Sequence, residues 1–200
     1  MSGEFITFEG IECSGKTTCL EEVVKYLTKQ NIPHVKTQEP NENYGRKFIK
    51  NEFLLQNVND PVVELFAYCL DRQLDVKNNI IPAMAKGYVV LCDRYVDSTK
   101  AYQGYLQNLP LSYVDTVQGV FPIPHLTLLF DLPAEMAITR VLNRTKKEKF
   151  DAIEELKILR EAFLDIARKS KGRIKIMDAT QSKEIVAQQA IKTINEVLQL

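Results

Sequence analysis

There is no surplus of charge in this sequence: lysine plus arginine and aspartate plus glutamate both number 26 in 200 residues. No global field therefore draws the chain to nucleic acid or to an anionic membrane, and any affinity for phosphate must be local. A secretory leader is missing as well. The chain opens Met1-Ser2-Gly3-Glu4 with no basic region, no long apolar leader follows, and no run approaches 18 apolar residues. A cytoplasmic protein is expected. The four cysteines, at 13, 19, 69 and 92, lack CxxC pairing and accompanying histidines, which argues against a zinc site and against a disulfide framework. Internal repeats, low-complexity tracts and Gly/Ser linkers are also lacking. With 45% apolar residues, the length suits one domain over 1–200 better than two.

What the sequence does contain is alternation. Strand-like runs at 5–9, 35–38, 88–92, 126–130 and 174–177 are separated by helical patterns at 17–30, about 61–86, 133–143, 153–171 and 182–199. This predicts an α/β fold with a five-stranded parallel sheet flanked by helices. The runs at 88–92 and 126–130 have little polar alternation, as expected for strands covered on both faces. Segments 39–44, 108–110 and 145–151 read as loops, and in an open α/β sheet ligands bind where such loops meet the carboxyl ends of the strands.

Gly10-Ile11-Glu12-Cys13-Ser14-Gly15-Lys16-Thr17 fits GxxxxGK[ST], directly after a strand and directly before a helix. That context makes a phosphate-binding P-loop of it. Its backbone N–H groups would wrap phosphate oxygens together with those of Thr18, the helix would offer its positive end, Lys16 would neutralise the β and γ phosphates of ATP, and the Thr17 hydroxyl would ligate Mg²⁺. Lys16 reads as an exposed loop residue with little part in packing. Asp93 ends an apolar strand, where an aspartate would approach the magnesium water shell; an isolated acid there is commonly a helix cap. Arg94 follows it and places a permanent cation beside the expected phosphates. GTPases, motors, transporters and small-molecule kinases share such a loop. A GTPase switch would show Asp-x-x-Gly after this strand and an Asn-Lys-x-Asp base reader; Asp93-Arg94-Tyr95-Val96 fails the first, and no segment supplies the second.

Taken together, the run from Phe8 to Thr18, Glu39-Pro40, the run Asp93-Arg94-Tyr95-Val96-Asp97-Ser98-Thr99-Lys100-Ala101-Tyr102-Gln103-Gly104 and Met177-Asp178-Ala179-Thr180-Gln181 resemble the bacterial type of thymidylate kinase, in the same order over nearly the whole chain. The resemblance implies a three-layer P-loop nucleoside monophosphate kinase fold, a homodimer, and direct transfer from ATP to dTMP. A kinase for another deoxynucleotide or deoxynucleoside is the alternative, although deoxynucleoside kinases usually carry Glu-Arg-Ser where this chain has Asp93-Arg94-Tyr95. By that resemblance Arg94 clamps the acceptor phosphate and the transferring group. Tyr68 stacks on thymine, with Phe66 an out-of-register competitor, and Arg72, one turn on, donates to a thymine carbonyl. Without the resemblance, Tyr68 would read as core and Arg72 as solvated. Thr99 and Gln103 bond the pyrimidine edge, Tyr102 fills the space beside the sugar C2′, and Glu12 reaches the 3′-hydroxyl or the metal shell. Glu39 belongs to a triplet whose arginine is replaced here by Gln38, with Lys50 or Arg46 as substitute and Lys50 preferred. Asp178, Ala179 and Thr180 border the adenine, although Thr180 or Ser182 also suits a helix cap. The resemblance puts a lid around 144–151; Cys13 cannot supply the catalytic cation some relatives hold in the P-loop, so Arg144, ahead of Lys146, Lys147 and Lys149, is the expected donor.

Overall fold

The computed structural model describes residues 3–49, 60–142 and 153–199, so Lys50 and the 144–151 segment, including Arg144, lie outside the described residues. Five strands, β1 (Phe5–Glu9), β2 (His34–Gln38), β3 (Val89–Asp93), β4 (Leu126–Asp131) and β5 (Ile174–Asp178), form one sheet in the order β2-β3-β1-β4-β5, every neighbouring pair parallel. The apolar runs of the sequence become its centre. Alternating side chains divide between two cores: Ile6, Phe8, Leu91 and Leu128 face one layer of helices, while Phe5, Val90 and Cys92 face the other. The expected three-layer arrangement results.

The helices are α1 (Lys16–Lys29), a single turn α2 (Arg46–Phe48), α3 (Pro61–Asp75), α4 (Ile81–Ala85), α5 (Val96–Thr99), α6 (Leu111–Gln118), α7 (Ala134–Leu142), α8 (Ile153–Lys169) and α9 (Lys183–Leu198). α1 buries Cys19, Leu20, Val23 and Leu27, one stripe at helical spacing, against the first core. α3 begins where Asp60 accepts hydrogen bonds from Val62 N (2.9 Å) and Val63 N (3.1 Å), with Pro61 in the first turn. It continues through a π-helical turn, Val76–Ile80, into α4, so the long helical pattern at 61–86 is one rod with a local irregularity. Ser182, not Thr180, caps α9 by accepting from Ile185 N at 3.4 Å.

One region departs from the sequence reading. Residues 96–118, for which no helix is expected, fold as α5, a π-helical segment Lys100–Leu106, and α6. α6 returns close to Gly104: a Cβ there would lie 2.6 Å from Leu111 Cδ2, the movable end of that side chain. Among the described residues, no helix is long and apolar enough to cross a membrane.

Candidate active site

β1 ends beside β3, with Phe8 paired to Asp93, so the two loops that leave these strands emerge together at the carboxyl edge of the sheet. The first is the P-loop. Gly10 (φ 139°) and Gly15 (φ 94°) adopt backbone conformations that L side chains rarely reach, and a Cβ on Gly10 would meet Phe130 O at 2.6 Å. Gly15 is the N-cap of α1 and, having no side chain, offers its first N–H groups no side-chain acceptor. Cys13, which is in no disulfide, sits at φ 58° between the two glycines.

Lys16 is not the exposed loop lysine the sequence suggests. It is 6% exposed and curls back over the loop, Nζ donating to Gly10 O (2.9 Å) and Ile11 O (2.8 Å). Burial and the nearby Arg94 bring its ammonium down to about 8. Thr17 Oγ1 donates to Asp93 Oδ2 at 2.6 Å, so the P-loop hydroxyl and the strand-ending acid are in direct contact.

Arg94 lies against the same loop. Its Nη1 is 3.4 Å from Gly10 O and 3.3 Å from Ser98 Oγ, Nη2 is ion-paired with Glu12, and the guanidinium stands 5.4 Å over the Tyr102 ring. Tyr102 donates its hydroxyl to Glu12 Oε1 at 3.1 Å. Burial alone would raise the Glu12 carboxyl; Arg94 and Lys16 outweigh it and hold the group below the usual carboxylate range. Lys16, Glu12, Arg94 and Tyr102 thus form one cluster from two segments distant in sequence, the P-loop with the first residue of α1 and the stretch after β3.

Tyr68 and Arg72 lie one turn apart on α3, Tyr68 half-buried. The alternative that Arg72 is solvated is wrong: at 1% exposure it is among the largest fully buried side chains. Nε donates to Glu39 Oε2 (2.7 Å), Nη1 to Gln118 Oε1 (2.5 Å) and Nη2 to Thr99 Oγ1 (3.0 Å), with the Tyr95 and Phe121 rings 5.0 and 5.5 Å from its centre. A buried guanidinium needs such partners, because an uncompensated charge there costs several kcal/mol. Burial pushes the Glu39 carboxyl up to about 8; Arg72 opposes the shift, while Asp75 and Asp71 add to it. Gln103 Nε2 reaches Glu64 Oε2 and Gln107 Oε1, both at 3.3 Å, which ties the π-helical segment to α3. Phe66 points elsewhere, 52% exposed on a face shared with Val62 and Leu70. Arg46 is engaged by Glu42 at 2.8 Å on the surface.

Sequence reasoning assigned no role to Arg140, at the end of α7. It donates to Cys13 O (3.1 Å) and Ala179 O (3.3 Å), joining the P-loop to the loop after β5. Its only sequence signal was membership of the basic stretch that leads toward 144–151. Glu9 and Ser98 were missed too. An acid closing the strand-like run Phe5-Ile6-Thr7-Phe8 was the available sign, since a buried carboxylate must find donors.

The arrangement can hold a polyphosphate in the P-loop, a divalent ion at Thr17 and Asp93, and a second anionic group near Arg94. The family described as thymidylate kinase matches residues 8–190. A thymidylate kinase of Carboxydothermus hydrogenoformans is 41% identical over 184 residues, covering 87% of this chain and 89% of the relative. One from Sulfurihydrogenibium sp. is 38% identical over 185 residues, with 89% and 90% covered, and one from Bartonella quintana is 36% identical over 209 residues, with 99% and 98% covered. The chain belongs to the thymidylate kinase family, and with it to the ATP-dependent nucleoside monophosphate kinases.

Proposed function

We propose that the P-loop of this chain holds the triphosphate of ATP while dTMP lies between α3 and the segment after β3, so that the γ-phosphoryl group passes directly to the acceptor phosphate, giving dTDP and ADP. The observation that carries this reading is the contact of Arg94 with Gly10 O, which sets the acceptor-side cation against the donor cradle. Transfer of this kind depends on alignment and charge neutralisation more than on covalent chemistry. Lys16 serves the donor phosphates, and Arg94 the acceptor and the transferring group.

Thr17 and Asp93 are hard oxygen donors in mutual contact, a set that suits Mg²⁺ shared with phosphate oxygens. When bound there, the ion supplies charge neutralisation on the phosphates. On the acceptor side, Glu39 holds Arg72, and Arg72 holds Thr99, at a site read as the edge of the thymine pocket, with Tyr68 on the same helix and Gln103 on the neighbouring segment. Tyr102, fixed by Glu12, stands where a ribose 2′-hydroxyl would clash. Asp178, Ala179 and Thr180, approached by Arg140, border the adenine. Lys50 and Arg144 complete the reading as the substitute cation and the lid cation, within a single kinase domain.

The acceptor panel of dTMP, dUMP, UMP, dCMP, dGMP and thymidine tests it: dTMP is expected to drive ATP consumption best, and equal turnover of thymidine would contradict a monophosphate acceptor. A homodimer is part of the same proposal. The exposed stripe Val62, Phe66 and Leu70 along α3 offers an apolar surface to a second copy. Leu70→Glu should then shift the mass in solution to that of a monomer, and an unchanged dimer would remove this surface from consideration.

A further inference from the structure

Glu9 has no accessible surface, and no step above uses it. A carboxyl group in that position must be satisfied by donors, and its hydrogen-bond donors among the described residues come from the segment directly after Arg94. Oε1 accepts from Tyr95 N at 2.7 Å and from Ser98 N at 3.2 Å, and Oε2 accepts from Ser98 Oγ at 2.5 Å. Glu9 therefore caps α5 from the strand next to β3.

The residue held in place by this cap is strained. Arg94 has φ 67°, a conformation that costs a non-glycine residue on the order of 1–3 kcal/mol and persists only where the surroundings enforce it. Three groups of contacts enforce it: Arg94 N donates to Phe8 O at 3.0 Å, Cys92 Sγ donates to Arg94 O at 3.0 Å, and Glu9 grips the next residue and the start of α5. The grip extends to the side chain. With its proton committed to Glu9, Ser98 Oγ turns a lone pair toward Arg94 Nη1 at 3.3 Å. Behind Glu9 stands Asp97, itself held by Arg173 at 2.8 and 2.9 Å and by Thr127 at 3.3 Å, so the cap is braced from β4 and from the start of β5.

We propose that Glu9 is a positioning residue for Arg94: through Ser98 and the backbone of α5 it fixes both the strained turn and the direction of the guanidinium. Glu9 touches no substrate and acts on transfer only through Arg94, so the inference rests on the reading of Arg94 as the phosphate clamp. A misplacement of about 1 Å at such a clamp costs on the order of 10²-fold in rate.

The test is a double-mutant cycle at about pH 8, above the value of about 7 to which burial raises Glu9, so that Glu9 is a carboxylate accepting from Ser98. Glu9→Gln preserves volume and can still accept from the two N–H groups, but its amide offers Ser98 a donor where an acceptor stood. It is expected to lower kcat about 10- to 100-fold with KM for ATP nearly unchanged. Ser98→Ala, with Glu9 intact, should lose a similar factor, and serves if Glu9→Gln does not fold by thermal unfolding. In an Arg94→Lys background, where the clamp is already lost, Glu9→Gln or Ser98→Ala should cost nothing further. If Arg94→Lys is severe while Glu9→Gln and Ser98→Ala leave kcat unchanged, the positioning role is refuted. A loss of full size in the Arg94→Lys background refutes it equally, since it would show that Glu9 acts on something else. An Arg94→Lys enzyme with normal kcat would overturn the clamp reading itself.

Discussion

The Thr17 hydroxyl donates to Asp93 at 2.6 Å across 76 positions of sequence, joining the first turn of α1 to the last residue of β3. Neither residue can take this position without the parallel pairing of β1 with β3, which sets Phe8 against Asp93. Thr17→Ala and Asp93→Asn are each expected to lower turnover about 10- to 100-fold and to raise the Mg²⁺ concentration for half-maximal activity. A magnesium titration of each variant checks this, and an unaltered Mg²⁺ dependence would separate these residues from the metal.

Lys16 spans the P-loop, bonded to the carbonyls of Gly10 and Ile11. Lys16→Ala should cost at least about 10²-fold in kcat at saturating ATP, because it removes a cation aimed at charge developing on the phosphates. The sheet and its cores do not depend on those two contacts, so the unfolding midpoint should change little. Normal turnover would take the P-loop out of the mechanism.

Tyr102 is held by Glu12 and lies beneath Arg94. Tyr102→Ala is expected to admit UMP or ribothymidine monophosphate, measured as the ratio of kcat/KM for ribo- and deoxyribonucleotides. The thymine methyl group is worth about 1–3 kcal/mol in such a pocket, so dUMP should remain a slow substrate of the unaltered chain. A ratio that does not move on substitution would show that Tyr102 does not read the sugar.

Glu9 carries a pH signature. Burial, and then the neighbouring Asp97, push its carboxyl from 4.5 to about 7, against the pull of Ser98, Arg94 and the Tyr95 N–H. The folded chain thus binds a proton that the unfolded chain has released, so this group's contribution to stability is complete below about pH 4.5 and is lost as pH rises toward 7. Glu9→Gln cannot titrate. Relative to that variant, the unaltered chain should lose stability between about pH 4.5 and 7, by up to a few kcal/mol. Urea unfolding at several pH values checks this; a difference that is flat, or that grows with pH, would contradict the assignment.

Arg144→Ala should reduce kcat far more than it raises KM for either nucleotide, as expected where a cation engages on lid closure and its loss costs about 10³- to 10⁵-fold. If Arg144→Ala is silent and a substitution at Lys146, Lys147 or Lys149 is severe, the lid stands with a different cation. Silence of all four would remove the lid.

What the sequence made legible was local. The P-loop is eight consecutive residues between a strand and a helix, and Asp93 closes an unbroken apolar run, so both could be read from spacing alone. α5 could not, because its cap is Glu9, 86 and 89 positions from the N–H groups it accepts. The π-helical segment Lys100–Leu106 obscured the next stretch, since its side chains do not follow the 3.6-residue period. Arg72 looked solvated for a similar reason: Glu39, Thr99 and Gln118, which allow its burial, come from three separate segments.

The central claim is direct transfer between two nucleotides held at once beside Arg94, and one measurement bears on it most closely. ATP labelled at the γ-phosphate is incubated with the protein and Mg²⁺, with and without dTMP, and the label is followed by chromatography. The account predicts that label enters dTDP in step with ADP release when dTMP is present, and that without dTMP the protein stays unlabelled and ADP scarcely forms. Label on the protein, or ADP released without dTDP, would contradict it.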